Sequence, residues 1–326
     1  MKSYAAYFDH EVRKHSSSGG IFTLIASYFD VVYGVAMTED CHNAEFRRIT
    51  GDISPLRGSK YFQAKVGDTF QQVKMDLEDG KKVLFTGTGC QVNGLQMFLQ
   101  KEHANLLTVD VICHGTPSPK LWDIYASYRE SQQGKKLESV NFRCKDNGWV
   151  GYGLKENQIY ISKEKDPFLQ MFLRDYCLRP ACYQCHAKNM KLSDLTLADF
   201  WGIESVAPEM NDGKGTSLVI TRTEKGQKFF ENAKQYLKWK EVSYEEGARF
   251  NPAEYRSPVR PEMRDTFYHD LTSISFPEMA KKYASPEMVP RSVRLKRIIK
   301  NIIKKFSRGG DIARNSDFGT LFTFSK

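Results

Sequence analysis

The stretch that decides the fold is residues 56–99, LRGSKYFQAKVGDTFQQVKMDLEDGKKVLFTGTGCQVNGLQMFL. It contains a turn, a helix pattern, an apolar strand pattern, a glycine-rich turn and a second helix pattern. This order is typical of βα units. Ligands of open α/β sheets bind at the strand-to-helix turn, where Thr86, Gly87, Thr88 and Gly89 lie. The turn differs from a dinucleotide-binding fingerprint, so a tight turn without a ligand is an alternative.

The flanking regions repeat the βα order. Residues 105–130, NLLTVDVICHGTPSPKLWDIYASYRE, predict another buried strand, a turn and an amphipathic helix. Residues 20–38 form an apolar run whose single charge is Asp30. An aspartate near the centre of a bilayer costs about 2.5 to 3.5 kcal/mol, which argues against a membrane span. A buried helix to about Phe29 and a strand from Val31 fit the run better.

The second half has a different pattern. Residues 138–163 alternate β-branched and aromatic with polar residues, as antiparallel strands do. The sequence therefore predicts an α/β fold: a mixed sheet with βαβ units in the N-terminal half, added antiparallel strands and a C-terminal basic amphipathic helix. The predicted organisation is a domain over residues 1–250 (βα-rich to 135, strand-rich from 136), an irregular extension over 251–290 and a basic tail over 291–326.

The net charge of +9 is concentrated in the tail. Eight basic residues and no acidic ones lie between Pro290 and Gly309, so the rest of the chain is nearly neutral. Apolar residues recur there at helical spacing, opposite the basic ones. The segment from Arg291 to Phe306 is expected either to dock on the protein's own core or to lie on an anionic membrane surface. Nucleic acid is not expected as a partner, because no basic patch is interleaved with aromatic residues.

Five of the seven cysteines are candidates for a metal site. Cys177, Cys182 and Cys185 have the C-x4-C-x2-C spacing, which suits an iron-sulphur cluster. Cys90 and Cys113 stand at the ends of apolar strand patterns, so distant segments can bring them to the same place. Structural zinc and cysteines that pack as small hydrophobes without metal are the alternatives.

The other two cysteines, Cys41 and Cys144, stand alone in polar sequence and are expected to be incidental. An odd number of cysteines disfavours a disulphide framework. The N-terminus, MKSYAAYFDHEVRKH, carries charges where a secretory signal needs an apolar core. A cytoplasmic, reducing compartment is therefore expected.

A serine-glycine loop, HSSSGG over residues 15–20, precedes the first helix pattern. Ser18 is a candidate helix N-cap, and the glycines permit close backbone approach. Free amide groups at such a helix start suit an anion such as phosphate. His114, next to Cys113, either orients a cofactor or satisfies a backbone carbonyl.

Seven motifs in order carry a wider resemblance: HSSSGGIF, LRGSKYFQA, VLFTGTGCQVNGLQMFL, NLLTVDVICHGTPSPKLW, FRCKDNGW, LRPACYQC and SDLTLADFWGI. Over residues 8–251 the chain resembles the coenzyme F420 hydrogenase/dehydrogenase beta-subunit family, in a short bacterial form that lacks an N-terminal ferredoxin-like module. The resemblance implies an iron-sulphur flavoprotein oxidoreductase that moves electrons between FAD, a [4Fe-4S] cluster and an organic substrate or redox partner.

The resemblance also implies ligand residues. The cluster is expected on Cys90, Cys113, Cys182 and Cys185, with Cys177 as a spare at a variable position. The flavin is expected to contact the serine-glycine loop, the GSKY motif and the glycine-rich turn, which gives Ser17, Ser18, Gly19, Gly20, Lys60, Thr88, Gly89 and Gln91. His114, as the neighbour of Cys113, is a further candidate for cofactor binding.

The chain departs from the family pattern in two places. Gly89 replaces the proline usual before the cysteine of GTGCQ, which is expected to loosen that turn. Without the ferredoxin-like module, electrons are expected from an external donor such as a ferredoxin or a reduced deazaflavin. Similar short bacterial members accompany polysaccharide-building enzymes. The rival hypothesis is therefore a cofactor-poor or zinc-stabilised binding or scaffold protein of a glycan-assembly complex.

Overall fold

The computed structural model describes residues 1–285. Met1–Tyr283 form one compact unit. The predicted basic amphipathic tail, from Arg291 to Phe306, lies outside the described residues. Within residues 1–285, no helix combines the length and the apolar character needed to cross a membrane.

The strands of the described unit form two sheets, and their bounds are β1 (Lys2–Tyr7), β2 (Val31–Met37), β3 (Ala44–Ile49), β4 (Val83–Thr88), β5 (Leu106–Val111), β6 (Val140–Cys144), β7 (Gly153–Glu156), β8 (Ile159–Ser162), β9 (Leu195–Asp199), β10 (Ser217–Thr221) and β11 (Lys238–Val242). The large sheet has the order β11-β1-β10-β9-β5-β4-β2-β3, and β6-β7-β8 form the small one. Four central strands, β2, β4, β5 and β9, run parallel. The other pairings are antiparallel. The predicted mixed α/β fold is confirmed.

The α-helices of the described unit are α1 (His10–Lys14), α2 (Ile21–Ala26), α3 (Thr69–Glu78), α4 (Gly89–Leu99), α5 (Pro119–Gln133), α6 (Pro167–Leu173), α7 (Ile203–Val206), α8 (Glu224–Ala233), α9 (Tyr244–Ala248), α10 (Arg264–Ser273) and α11 (Phe276–Met279). The expectation of an irregular segment over residues 251–290 is wrong for its described part. Helices α10 and α11 lie there, because Phe267, Leu271 and Phe276 are buried apolar residues.

The large sheet is covered on both faces, which explains its apolar strand patterns. On one face Leu84 of β4 packs in a cluster with Ile25 of α2 and Phe230 of α8. On the other face Val83 and Phe85 pack in a second cluster with side chains of α3 and α4. The apolar run at residues 20–38 is thus the buried helix α2 followed by the buried strand β2, as predicted.

The parallel strands determine where a site can form. Their carboxyl ends meet at one edge of the sheet, which we call the carboxyl edge; it includes Thr88, Cys113 and Asp199. Strands β9, β10 and β11 come from the second half of the chain and join β4 and β5 in the same sheet. Residues from both predicted parts of the domain therefore contribute to this edge.

Candidate functional site

Four cysteines gather at the carboxyl edge. Cys90 is in the first turn of α4, Cys113 follows β5, and Cys182 and Cys185 lie on and just after the 3₁₀ helix Pro180–Gln184. Burial raises the pKa of the Cys113 thiol to about 12, and charge repulsion from the other three thiols adds to the increase. Three separate segments thus bring the four predicted cluster cysteines close to one another.

Close packing at Gly115 brings two of these segments together. A Cβ atom on Gly115 would lie 2.7 Å from Cδ1 of Leu178, so a larger residue would push the segments apart. The Thr116 carbonyl accepts a hydrogen bond from the Arg179 amide at 3.0 Å. The Thr116 amide donates a hydrogen bond to Sγ of Cys182 at 3.4 Å. The chain after β5 is therefore fixed against the LRPACYQC motif.

Gly89 fulfils the same role at the start of α4. A Cβ atom there would lie 3.0 Å from Oδ2 of Asp110 and 3.3 Å from Cβ of Ala187. Ala187 follows Cys185, so glycine allows the helix that carries Cys90 to approach the second pair of cysteines. The turn was expected to be loose. It is instead held by Oε1 of Gln91, which accepts hydrogen bonds from the Thr88 amide at 2.9 Å and the Thr88 hydroxyl at 3.0 Å.

Cys177 differs from the other four candidates. Its side chain is fully buried, and burial raises the pKa of its thiol well above the ordinary value. Its carbonyl accepts hydrogen bonds from the Ser118 amide at 3.0 Å and the Tyr268 hydroxyl at 2.7 Å. These contacts give Cys177 a role in packing and keep it a spare candidate. Cys41 and Cys144 are buried as well.

Sequence reasoning missed Lys188, a cation beside the thiols. Its Nζ donates to the carbonyl of Cys113 at 2.8 Å and to the carbonyl of Ala253. Burial lowers the pKa of Lys188, while Cys113 and Cys185 oppose that shift. Its position three residues after Cys185 was the available signal.

The four thiols have the chemistry of a metal site, but they do not stand around a common centre. Within residues 1–285, no set of three or more His, Cys, Asp or Glu side chains has the arrangement needed to hold a metal ion. The chemistry of the donors fits an iron-sulphur cluster: four thiols, the Thr116 amide directed at a cysteine sulphur and the positive charge of Lys188. Binding would require the thiols to draw together around the metal.

The serine-glycine loop is anchored to the sheet. The Ser18 hydroxyl donates to the Thr216 carbonyl at 2.8 Å, and the Gly19 amide donates to the Ser217 hydroxyl at 2.9 Å. The predicted N-cap role of Ser18 is wrong, because Gly20, with φ of 80°, is the N-cap of the six-residue helix α2. Ser17, by contrast, contacts the GSKY motif.

Ser17 connects this loop to the GSKY motif. Its hydroxyl lies 3.0 Å from the Ser59 hydroxyl and accepts a hydrogen bond from the Ser59 amide at 3.0 Å. The adjacent Lys60 donates from Nζ to the carbonyls of Pro55 at 3.0 Å, Arg57 at 2.8 Å and Gly58 at 3.2 Å. Burial lowers the pKa of Lys60 to about 7. The predicted flavin-binding residues Ser17 and Lys60 are therefore neighbours.

A second lysine, Lys145, flanks the same loop and was missed as a site residue. Its Nζ donates to the Arg13 carbonyl at 2.6 Å and to the Lys214 carbonyl at 3.2 Å. Burial, followed by the charges of Arg13 and Arg143, lowers the pKa of Lys145 to about 8. The available signal was the motif FRCKDNGW, which contains Lys145 and was not predicted to bind a ligand.

His114 follows Cys113 in the chain and packs against the aromatic ring of Phe172. Its Nε2 is 2.5 Å from Oδ1 of Asp175, so its partner is a carboxylate and not the backbone carbonyl that was one of its two predicted alternatives. Its ring packs edge-on against that of Phe172, with 5.4 Å between the ring centres, and the ring centres of Phe172 and Tyr61 are 5.2 Å apart. Tyr61, next to Lys60, and His114, next to Cys113, therefore pack against the same ring.

Two surface cavities of the described unit lie elsewhere. One, of about 550 Å³, is lined by acidic residues around His42. The other, of about 260 Å³, lies between α2 and the end of β3. Neither is lined by a predicted site residue. The predicted cluster cysteines lie instead at the carboxyl edge.

The fold and this edge define a class: mixed α/β proteins with a group of thiols at the ends of parallel strands, beside a cation-flanked loop. The sequence model for the carboxyl-terminal part of the beta subunit of coenzyme F420 hydrogenase/dehydrogenase matches residues 80–245. The chain belongs to this family. The predicted resemblance is confirmed, and the protein is of an oxidoreductase-related, hydrogenase beta-subunit-like type.

A solved structure shows the same fold. A chain of the F420-reducing [NiFe] hydrogenase complex from Methanosarcina barkeri, in a xenon-derivatised crystal, superposes with a TM-score of 0.51 at 15% sequence identity. The match covers 87% of this chain and 88% of that chain. No curated protein matches the sequence. At this identity, the structural likeness supports the fold class alone.

Proposed function

We propose that the protein is an iron-sulphur flavoprotein oxidoreductase. When bound, FAD and a [4Fe-4S] cluster would supply electron transfer to or from an organic substrate or redox partner. The observation that carries the proposal is the gathering of Cys90, Cys113, Cys182 and Cys185 at the sheet edge that also holds a loop flanked by two lysines. Membership of an oxidoreductase-related family supports it.

At the thiol end, the protein's part is to provide and stabilise thiolates. The raised pKa of Cys113 keeps its thiol protonated in the free protein, so metal binding would release that proton. The charge of Lys188 and the Thr116 amide would offset the negative charge of the cluster and influence its reduction potential.

At the other end, the protein's part is to bind phosphate. Among residues 1–285, Lys60 and Lys145 have carbonyl groups as their hydrogen-bond partners and no carboxylate, so an anion would relieve the cost of burying their charges. Tyr61, which follows Lys60, and His114, which follows Cys113, both contact Phe172 and would offer aromatic surfaces suited to a flavin ring.

We propose that the protein works in the cytoplasm and receives electrons from an external donor such as a ferredoxin or a reduced deazaflavin. It would act alongside polysaccharide-building enzymes. The basic segment from Arg291 to Phe306 would allow contact with the inner face of the membrane. Deleting residues 286–326 should reduce binding to vesicles of anionic lipid and leave the cofactors in place. Loss of flavin from the truncated protein would contradict this peripheral role.

The test is anaerobic purification of the full chain, followed by a visible spectrum and analysis for iron, acid-labile sulphide, zinc and flavin. We expect brown protein with about four iron, four sulphide and one FAD per chain. Colourless protein that resists reconstitution and contains stoichiometric zinc would overturn the proposal and favour the zinc-stabilised scaffold.

A further inference from the structure

The small sheet directs an arginine into the protein by means of a β-bulge. The pairing of β6 with β7 shifts register between Asn141 and Cys144. As a result the three consecutive residues 142–144 are buried, where a regular strand would alternate. The Arg143 amide donates to Oδ1 of Asn141 at 2.9 Å. The bulge thus places the guanidinium of Arg143 inside the molecule.

Arg143 is held by aromatic rings and one carboxylate. Its Cζ lies 3.8 Å from the ring centre of Tyr152 and 5.2 Å from that of Trp201. Its Nη2 lies 2.9 Å from Oδ2 of Asp199. The residue is 3% exposed, yet within the described chain neither its Nε nor its Nη2 makes an aligned hydrogen bond. A guanidinium has five N–H donors, so this one keeps capacity for a further acceptor.

Arg13 shows how the same fold satisfies an arginine with a structural role. It is equally buried, at 3% exposed. Its Nη1 and Nη2 donate to the two carboxylate oxygens of Asp212 at 2.7 and 2.6 Å, and its Nε donates to the Gly215 carbonyl at 3.2 Å. Because unused buried donors cost free energy, the contrast points to an acceptor at Arg143 that comes from a ligand.

The charge around Arg143 favours a negative ligand. Lys145 adds a second positive charge close enough for the two cations to repel, and Asp199 is the carboxylate in contact with Arg143. The charge of Asp212, which also acts on Lys145, is matched by its ion pair with Arg13. Asp199 is also the acceptor for Nε1 of Trp149 at 3.3 Å. Arginine binds phosphate and carboxylate in a forked geometry that suits its planar group.

We propose that Arg143 is an oxyanion-binding residue of the carboxyl edge, which takes the phosphate or carboxylate group of a bound ligand. The inference rests on the proposed function in assigning that ligand, either the flavin or the organic substrate. Tyr152 and Trp201 hold the guanidinium in place, and the carboxylate of Asp199 offsets part of the cost of burying its charge. Binding of an oxyanion at Arg143 would not require an iron-sulphur cluster.

The test uses full-length protein and four forms: wild type, Arg143→Gln, Arg143→Lys and the control Arg129→Gln. Arg129 forms a comparable ion pair with the fully buried Glu156, 2.7 Å from Nε to Oε2, away from the carboxyl edge. Binding of inorganic pyrophosphate and of succinate is measured by calorimetry, after the flavin content of each preparation is determined.

We expect wild type to bind at least one probe and Arg143→Gln to bind it about tenfold or more weakly, as for a lost charged hydrogen bond. Arg143→Lys keeps a charge and should fold even where Arg143→Gln does not, but it should still bind more weakly because it lacks the fork. Arg129→Gln should bind as wild type does. The proposal is overturned by a wild type that binds neither probe, by unchanged binding in the folded Arg143 variants or by an equal loss in Arg129→Gln.

Parallel titrations with FAD and riboflavin identify the source of the oxyanion. Weaker FAD binding with unchanged riboflavin binding would assign Arg143 to the cofactor's phosphates. Weaker succinate binding with unchanged FAD binding would assign it to an acidic group of the substrate. A protein without iron or flavin that still loses pyrophosphate affinity on Arg143→Gln would overturn the proposed function and leave the oxyanion site standing.

Discussion

The two ends of the carboxyl edge are built by different means. At the thiol end, Gly89 and Gly115 let backbone segments approach closely, and hydrogen bonds of Thr116 connect them. At the other end, Arg143 and Lys145 are held by rings, carbonyl groups and one carboxylate. The first end should therefore be sensitive to side-chain volume, and the second to charge and pH.

Replacing one thiol should have the largest effect. Cys182→Ser or Cys185→Ser is expected to abolish the visible absorbance and the bound sulphide, because three thiolates do not close the cage. Cys177→Ala is the matched control, since the fully buried Cys177 lies in the same motif and should keep its iron. Equal iron and sulphide in Cys182→Ser and wild type would refute the assignment.

Added volume at Gly89 should disturb the thiol end next. Gly89→Ala places a methyl group 3.0 Å from the Asp110 carboxylate and should cost about 1 to 3 kcal/mol of unfolding free energy, with loss of iron. Gly94→Ala on the same helix is the control, because its methyl group would meet the Phe70 ring at an ordinary 3.4 Å. Denaturant unfolding and iron analysis check both. Equal effects of the two substitutions would remove the argument from close packing.

The end of the carboxyl edge that contains Lys60 and Lys145 should respond to pH. Burial lowers the pKa of Lys60 to about 7 and of Lys145 to about 8, from 10.5 for both. Both lysines therefore lose their protons as pH rises from about 6 to 9, and sulphate, whose charge stays constant, should bind about tenfold or more weakly at the upper limit.

The stability effect has the opposite sign. The unfolded chain holds these two protons up to about pH 10.5, so deprotonation of the folded form makes unfolding less favourable as pH rises. Lys60→Gln should remove the step near pH 7 from the sulphate titration. Sulphate binding that is flat from pH 6 to 9 in wild type would contradict both lowered pKa values.

The smallest effect is expected at the cap of α4. Gln91→Leu removes the acceptor of two hydrogen bonds from Thr88 and should cost about 1 kcal/mol of unfolding free energy. Gln91→Glu keeps an acceptor and adds a favourable negative charge at the helix start, so it should be close to neutral. A loss that is the same in both variants would mean that the Thr88 contacts contribute little.

Much of the fold could be predicted, because apolar periodicity is a local property. The strand-to-helix order over residues 56–99 and the buried strand from Val31 were predicted from their patterns alone. The helical segment over 251–285 was not, because its burial depends on packing of Phe267 and Tyr283 against distant parts of the chain. The cap of α2 was misplaced for a similar reason, since the Ser18 hydroxyl bonds instead to the carbonyl of Thr216, just before strand β10.

The sequence by itself determined the donor types: thiols in a spacing suited to metal, a serine-glycine loop and lysines in short motifs. It also determined the order of strands and helices, which local propensity and periodicity control. The tertiary structure decided which donors meet. Cys90 and Cys113 come together because the parallel strands β4 and β5 end at one edge, and Cys182 joins them because its 3₁₀ helix packs against the chain after β5. The lowered pKa values of Lys60 and Lys145 exist because folding removes water from their charges. Burial and proximity depend on contacts between residues far apart in the chain, so they appear when the chain packs.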